Sequence, residues 1–449
     1  MVWVDDAGSA LVTDLYELTM AAAYLEAGIQ DSPATFELSV RSLPEQRSFL
    51  VAAGIEDVLR YLENLSFDGP SLQYLDSLDR FPDGFLDWLG ELRFTGDVRT
   101  MPEGSVAFPQ EPLLQVTAPL AQAQLIETFV LTAIGFQTMI ASKAARVTLA
   151  AEGRPVADFG ARRAHGPDAG LKAARAAYIG GVGATSLVLA GREFGIPVTG
   201  TMAHSYVLAH PSELDSFISF ARAFPRDAVL LIDTFDTLRG ARIAAEAARR
   251  LALEGIEVKG VRLDSGDPAA LSAGVRAILD EAGFPRIRIL ASGGLDEHSI
   301  AELVADGAPI DAFGVGTRMT TSEDAPSLDV VYKLVEDQAG PRMKTSTGKL
   351  TLPGRKQVYR CDDHDLIALA DEEWTEGDAL LIDTVKAGKR VAEVETLETM
   401  RTRAVESLER LPDPIRSIDV AEMPPYPVHR SARIDALIEE LRSGTTAGA

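Results

Sequence analysis

From residue 156 to residue 317 the chain repeats one pattern. Short apolar runs rich in β-branched residues end in small or acidic residues, and alanine-rich stretches follow. The runs are VADFG (156–160), GGVGATS (180–186), PVTGTMA (197–203), AVLLIDTF (228–235), VKGVRLDS (258–265), RIRILASGG (286–294) and AFGVGT (312–317). The intervening stretches carry helix punctuation: a capping Ser212, a stop at Gly255, Asp267 and Pro268 opening a segment that stops at Gly283, and a start near Asp296. Strands alternating with helices through short links predict parallel βαβ units. Their number predicts a closed or nearly closed α/β barrel, with active residues gathered at the C-terminal strand ends.

The flanking regions read differently. Residues 1–150 mix helix-like segments with strand-like ones such as ATFELSVRS, which predicts a separate α+β domain, with the barrel over 151–340. Residues 341–449 read as a C-terminal segment packing on the other domains. It holds a strand-like LPGRKQVYRCDD, a strand pair around ALLIDTVKAGKRV, and a polar tail, SGTTAGA, expected to lack structure.

Composition narrows the partners. A formal net charge of −24 argues against nucleic acid or an anionic membrane. One cysteine, Cys361, permits neither an intrachain disulfide nor a cysteine zinc site, which suits a reducing cytoplasm. The opening MVWVDDAGSALVTDLYELT lacks the basic and apolar regions of a signal peptide. No run of about 18 uncharged apolar residues is long enough to span a bilayer.

The strand ends carry the chemistry. Glycines in SGG (292–294) and GVGT (314–317) can let an anion approach backbone N–H groups, or they can simply make tight turns. In RLDSGD, Asp264 and Asp267 suit ribose hydroxyls or a hydrated Mg²⁺ beside a pyrophosphate. Arg262 shares a strand face with Asp264, for a structural ion pair or for a substrate carboxylate. Phe159 followed by Arg162 and Arg163 suits a flat anionic ring, or the arginines are solvated. His204 follows the GTMA strand end. It is either a packing histidine or a base or nucleophile held in one tautomer by a carboxylate.

Taken in order, TDLYELTMAAAYL, FELSVRSLPEQRSFLVAAG, EPLLQVTAPLAQAQLIET, DFGARRAHGPDAGL, YIGGVGATSLVLAGREFGIPVTGTMAHSYV, GVRLDSGD, FGVGTRM, VYKLVE and KLTLPGRKQVYR resemble segments of the nicotinate phosphoribosyltransferase family across most of the chain. The resemblance implies an irregular α/β barrel of the type II phosphoribosyltransferase kind, with an N-terminal α+β domain and a C-terminal extension. It implies that nicotinate and phosphoribosyl pyrophosphate give nicotinate mononucleotide and pyrophosphate, coupled to ATP hydrolysis, as the first step of salvage toward NAD. Mg²⁺ is implied mainly through substrate phosphates, and a cytoplasmic homodimer with its active site at the interface.

The same resemblance makes His204 the phosphorylated residue, Asp233 the acid orienting its ring and Asp264 the acid near the ribose. Tyr16, from the partner subunit, and Phe159 sandwich the pyridine. Arg162, Thr201 and Arg262 contact nicotinate. Asp267, Gly293, Gly294, Gly316 and Thr317 fall on the phosphoribosyl pyrophosphate turns, with Arg41 and Lys333 as cationic ligands. Nicotinamide-using relatives place an acid in the region matching GGVGATSLV, and this chain has none there. A nicotinamide phosphoribosyltransferase and a non-catalytic barrel binding phosphorylated metabolites are the alternatives.

Overall fold

The computed structural model describes residues 8–344, 351–419 and 425–446. The chain divides into two compact units, one of residues 1–139, 327–415 and 420–449, the other of 140–326 and 416–419. These bounds stand beside the sequence expectation of breaks at 150 and 340.

The second unit is built on a six-stranded sheet. Its strands lie in the order Ala184–Thr185, Val156–Asp158, Ala312–Val315, Arg288–Ser292, Gly260–Leu263 and Val229–Leu231. Every pairing is parallel, so all the C-terminal strand ends share one edge. The α/β class is the expected one, and where a closed or nearly closed barrel was expected the parallel sheet forms a half-barrel. Among the described residues the ladder does not close.

The gap falls where PVTGTMA was expected to form a strand. Only a single bridge, Thr185 to Val198, forms there. Pro197 supplies no N–H to a ladder, and the Thr201 side chain bonds backbone instead, donating to Val229 O at 2.5 Å.

Local signals place the helices. Ser212 accepts from Asp215 N–H to cap Glu213–Ala223, and Asp236 accepts from Arg239 N–H to cap Thr237–Ala252. Asp296 and Ser299 form a capping box at Glu297–Ala305. Helix Thr237–Ala252 buries Ala241, Ala244, Ala245, Ala248 and Leu251, one stripe at helical spacing. Its Gly240 sits so close to the sheet that a Cβ would lie 1.9 Å from Ile232 O. Small residues on that face therefore set the depth of packing.

The first unit holds a seven-stranded antiparallel sheet. Strand Pro33–Val40 lies between Pro112–Pro119 and Val330–Asp337. Its core includes Phe36, Leu38, Leu59, Leu114 and Val116. The expected C-terminal strand pair is present as Ile382–Lys386 and Lys389–Arg390. The polar tail begins inside helix Ala432–Thr446, where Ser443 Oγ donates to Glu440 O, and residues 447–449 lie outside the described residues.

Candidate active site

A cavity of about 940 Å³ opens at the C-terminal strand edge of the second unit. Three arginines (Arg162, Arg163 and Arg262) line it against one carboxylate, Asp264. In a chain of net charge −24, that local excess of positive charge selects an anionic ligand.

Phe159 is presented by a tight turn after strand Val156–Asp158. Its N–H donates to Val315 O at 2.8 Å. Its ring lies against Gly314, where a Cβ would come within 2.5 Å of it. The glycine at 314 thus makes room for an aromatic surface in the cavity wall.

Arg262 extends from strand Gly260–Leu263 with 13% of its side chain exposed. Its nearest acid contact is Asp264 Oδ2 at 3.9 Å, and its Nε is buried without a hydrogen-bond partner. Burial lowers its pKa, with Asp264 and Asp233 opposing, but a guanidinium remains protonated at any working pH. A buried cation with spare donor capacity facing a cavity is matched to an incoming carboxylate.

Asp264 is the hub of the acid side. Its Oδ1 accepts from Ser292 Oγ at 2.6 Å, while Oδ2 lies between Arg262 and His204 Nε2, the latter at 3.7 Å. His204 is the first residue of a short helix, His204–Leu208, rather than the end of a strand. Its Nδ1 meets Thr234 Oγ1 at 3.1 Å, and 41% of its side chain is exposed.

Asp233, expected to orient that ring, points elsewhere here. Its Oδ2 accepts from Asp264 N–H at 2.9 Å and from Ser265 Oγ at 2.6 Å, and its Oδ1 is buried without a partner. The ring neighbours are Thr234 and Asp264.

The glycine turns border the same cavity. Gly293 has φ +93, and a Cβ there would meet Asp264 O at 2.1 Å. Gly294, at φ +66, is followed by the capped helix Glu297–Ala305. Gly316 precedes the single turn Thr317–Thr320. Both turns line the cavity together with Thr201 and Arg162. Asp267 instead caps helix Pro268–Glu281, accepting from Ala269 N–H at 3.0 Å. No group of three or more potential ligands that could hold a metal occurs among the described residues, and Asp264 is the cavity's one carboxylate. That donor set fits an ion carried in by a phosphate-bearing substrate rather than a protein cage.

Three predicted residues lie in the first unit. Tyr16, on helix Leu15–Glu26, is 49% exposed. Arg41 donates to Asp329 Oδ1 at 3.2 Å. Lys333 donates to Tyr332 O at 2.8 Å and lies 3.6 Å from Glu127. Arg41 and Lys333 line one small cavity, of about 30 Å³, beside the buried pair Lys356–Glu37.

Sequence reasoning missed Asp158, Thr185, Thr234, Ser292 and Thr320, which hold the residues it named. An acid in the apolar run VADFG was the available signal for Asp158.

Two family descriptions match the chain: the nicotinate phosphoribosyltransferase (NAPRTase) N-terminal domain over residues 11–135, and the nicotinate phosphoribosyltransferase (NAPRTase) family over residues 155–346. A Mycobacterium tuberculosis nicotinate phosphoribosyltransferase is 48% identical over 445 residues, covering 98% of this chain and 95% of that protein. A Bacillus subtilis nicotinate phosphoribosyltransferase is 43% identical over 386 residues, covering 82% of this chain and 78% of that protein. The crystal structure of human nicotinic acid phosphoribosyltransferase superposes with a TM-score of 0.85 at 30% identity, covering 96% of this chain and 99% of that one. With that similarity running through both units, the chain belongs to the nicotinate phosphoribosyltransferase family.

Proposed function

We infer that the protein transfers the phosphoribosyl group of phosphoribosyl pyrophosphate to the ring nitrogen of nicotinate, releasing pyrophosphate. The observation that carries the choice of acceptor is Arg262, a buried guanidinium with an unpartnered Nε at the cavity wall. Nicotinate supplies a carboxylate to it. Nicotinamide would leave that guanidinium with only its loose 3.9 Å contact to Asp264, and the GGVGATSLV stretch, whose Ser186 and Leu187 line the cavity, holds no acid to receive an amide.

Groups of the chain and of its partner subunit divide the work. Phe159 gives one face to the pyridine, Tyr16 of the partner subunit gives the other, and Arg262 with Arg162 fixes the carboxylate end. The ring nitrogen is thereby held in line with C1 of the ribose. Asp264 faces the sugar hydroxyls. The turns at Gly293–Gly294 and Gly316–Thr317 take the phosphates. As the C1–oxygen bond breaks, negative charge grows on the leaving pyrophosphate, and fixed donors there lower the barrier. Mg²⁺ held mainly through the substrate phosphates would supply further neutralisation of that charge.

His204 is the acceptor for the γ-phosphoryl group of ATP. In the tautomer whose Nδ1–H donates to Thr234 Oγ1, Nε2 carries the lone pair, 3.7 Å from Asp264 Oδ2 on a side chain that is 41% exposed. Nε2 bonds to phosphorus, the β–γ bridging bond breaks, and ADP leaves. Water later cleaves the phosphorus–nitrogen bond to give phosphate. The net change is nicotinate, phosphoribosyl pyrophosphate, ATP and water to nicotinate mononucleotide, pyrophosphate, ADP and phosphate.

Two assays test this reading. Incubation with nicotinate, phosphoribosyl pyrophosphate and Mg²⁺–ATP should yield nicotinate mononucleotide and pyrophosphate. Binding without pyrophosphate release would make the barrel a non-catalytic one. Labelling with γ-³²P ATP should be lost in His204→Ala together with ATP stimulation, and retention of both would remove His204 from the role.

A further inference from the structure

We propose that Asp158 is a positioning residue that sets the Phe159 ring for the pyridine, through a three-donor lock joining the ends of neighbouring strands. The proposal rests on the functional reading above and adds a residue to it.

Asp158 is buried at the end of strand Val156–Asp158. Its Oδ1 accepts from Gly160 N–H at 2.8 Å, which closes an Asx turn around Phe159. Its Oδ2 accepts from Thr185 Oγ1 at 2.8 Å, at the end of the adjacent strand Ala184–Thr185. Thr320 Oγ1, in the turn after strand Ala312–Val315, approaches Oδ1 at 3.4 Å. The Asp158 carbonyl also accepts from Ser186 N–H at 2.8 Å, and Ser186 lines the cavity.

Burial raises the Asp158 pKa, and the bonds from Gly160, Thr185 and Thr320, which favour the carboxylate, offset only part of that rise. Three donors converge on it, a pattern that suits an acceptor-only group. Leu187 N–H already donates to Thr185 Oγ1 at 3.1 Å, so the threonine hydroxyl is oriented to give its proton to Asp158.

The surroundings leave the turn little freedom. A Cβ at Gly160 would lie 1.6 Å from Thr320 Oγ1, and one at Gly314 would strike the Phe159 ring. With the ring wedged against Gly314 and the chain pinned on both sides of it, the height of the ring in the cavity depends on where Asp158 holds the turn. Nothing reacting touches Asp158. It acts through Phe159, so its loss should appear in binding of the aromatic substrate.

The test compares full-length wild type with Asp158→Asn, Thr185→Val and Thr185→Ser. Asparagine keeps the shape but aims an amide donor at a donor. Steady-state kinetics with each substrate varied in turn, and thermal unfolding, are recorded for all. Asp158→Asn and Thr185→Val should raise KM for nicotinate roughly tenfold while KM for phosphoribosyl pyrophosphate changes less than about twofold, and Thr185→Ser should restore the wild-type value. Should Asp158→Asn not fold, the Thr185 pair decides alone. An unchanged nicotinate KM in folded variants overturns the proposal, as does a loss confined to thermal stability or spread equally over both substrates. A wild type that forms no nicotinate mononucleotide would instead overturn the functional reading.

Discussion

At Arg262 the sequence offered two roles, a structural ion pair with Asp264 or a substrate contact, and spacing alone could not separate them. The 3.9 Å separation and the unpartnered Nε favour the proposed substrate contact: the pair is too loose to satisfy the guanidinium. Arg262→Ala should therefore lose about 1.5–3 kcal/mol of transition-state binding for nicotinate, or roughly 10- to 100-fold in kcat/KM, with lysine restoring only part of it. Gly314→Ala places a methyl within 2.5 Å of the Phe159 ring. Displacing the ring should raise KM for nicotinate and cost about 1–3 kcal/mol of stability in denaturant titration. Residues such as Phe159 and Arg262 were legible because their own chemistry is distinctive. Asp158 and Ser292 were not, because their work is to hold others, and a local acid or hydroxyl carries no mark of its long-range partner.

Among the elements, helices were read more securely than strands. The caps at Ser212, Asp267 and Asp296 are decided within three or four residues, so the sequence alone locates them. The segment 197–203 looked like a strand by composition, yet strand pairing depends on a neighbour that composition does not name. Helix Glu297–Ala305 follows the Gly293–Gly294 turn, and its first residue is tied into a buried charge cluster. Glu297 meets Lys143 Nζ at 2.5 Å and Arg146 Nε at 3.1 Å. Burial pushes the Glu297 carboxyl up, but the two cations outweigh it and hold it below the usual carboxylate range. Its folded pKa thus lies below the unfolded value. Its contribution to stability is complete above about pH 4.3 and is lost as pH falls through the folded pKa, because the unfolded chain takes up the proton first. Glu297→Gln should lower stability near neutrality by about 3–5 kcal/mol and flatten that acid limb, read from urea midpoints across pH.

For the molecule as a whole, sequence order misleads. Strand Val330–Asp337 pairs along Pro33–Val40, almost three hundred residues away, so the first unit is assembled from both ends of the chain. Local pattern cannot supply that register, which is why the sequence reading of a barrel over 151–340 takes in this strand. The proposed homodimer makes its own prediction at this scale. If Tyr16 serves the partner's cavity, a purified heterodimer of Tyr16→Ala and His204→Ala chains should regain ATP-stimulated turnover that neither variant homodimer has. One of its two sites then keeps both residues. A heterodimer as inactive as its parents would place Tyr16 and His204 in the same chain's site.

The central claim is that a buried arginine makes this cavity select a carboxylate-bearing pyridine. Its most direct test is the ratio of kcat/KM for nicotinate over nicotinamide, measured by pyrophosphate release in wild type and in Arg262→Ala. The account predicts a ratio of roughly 100 or more in wild type, falling at least tenfold in the variant through loss of nicotinate turnover. An equal ratio in the two proteins, or a wild type that prefers nicotinamide, would contradict it.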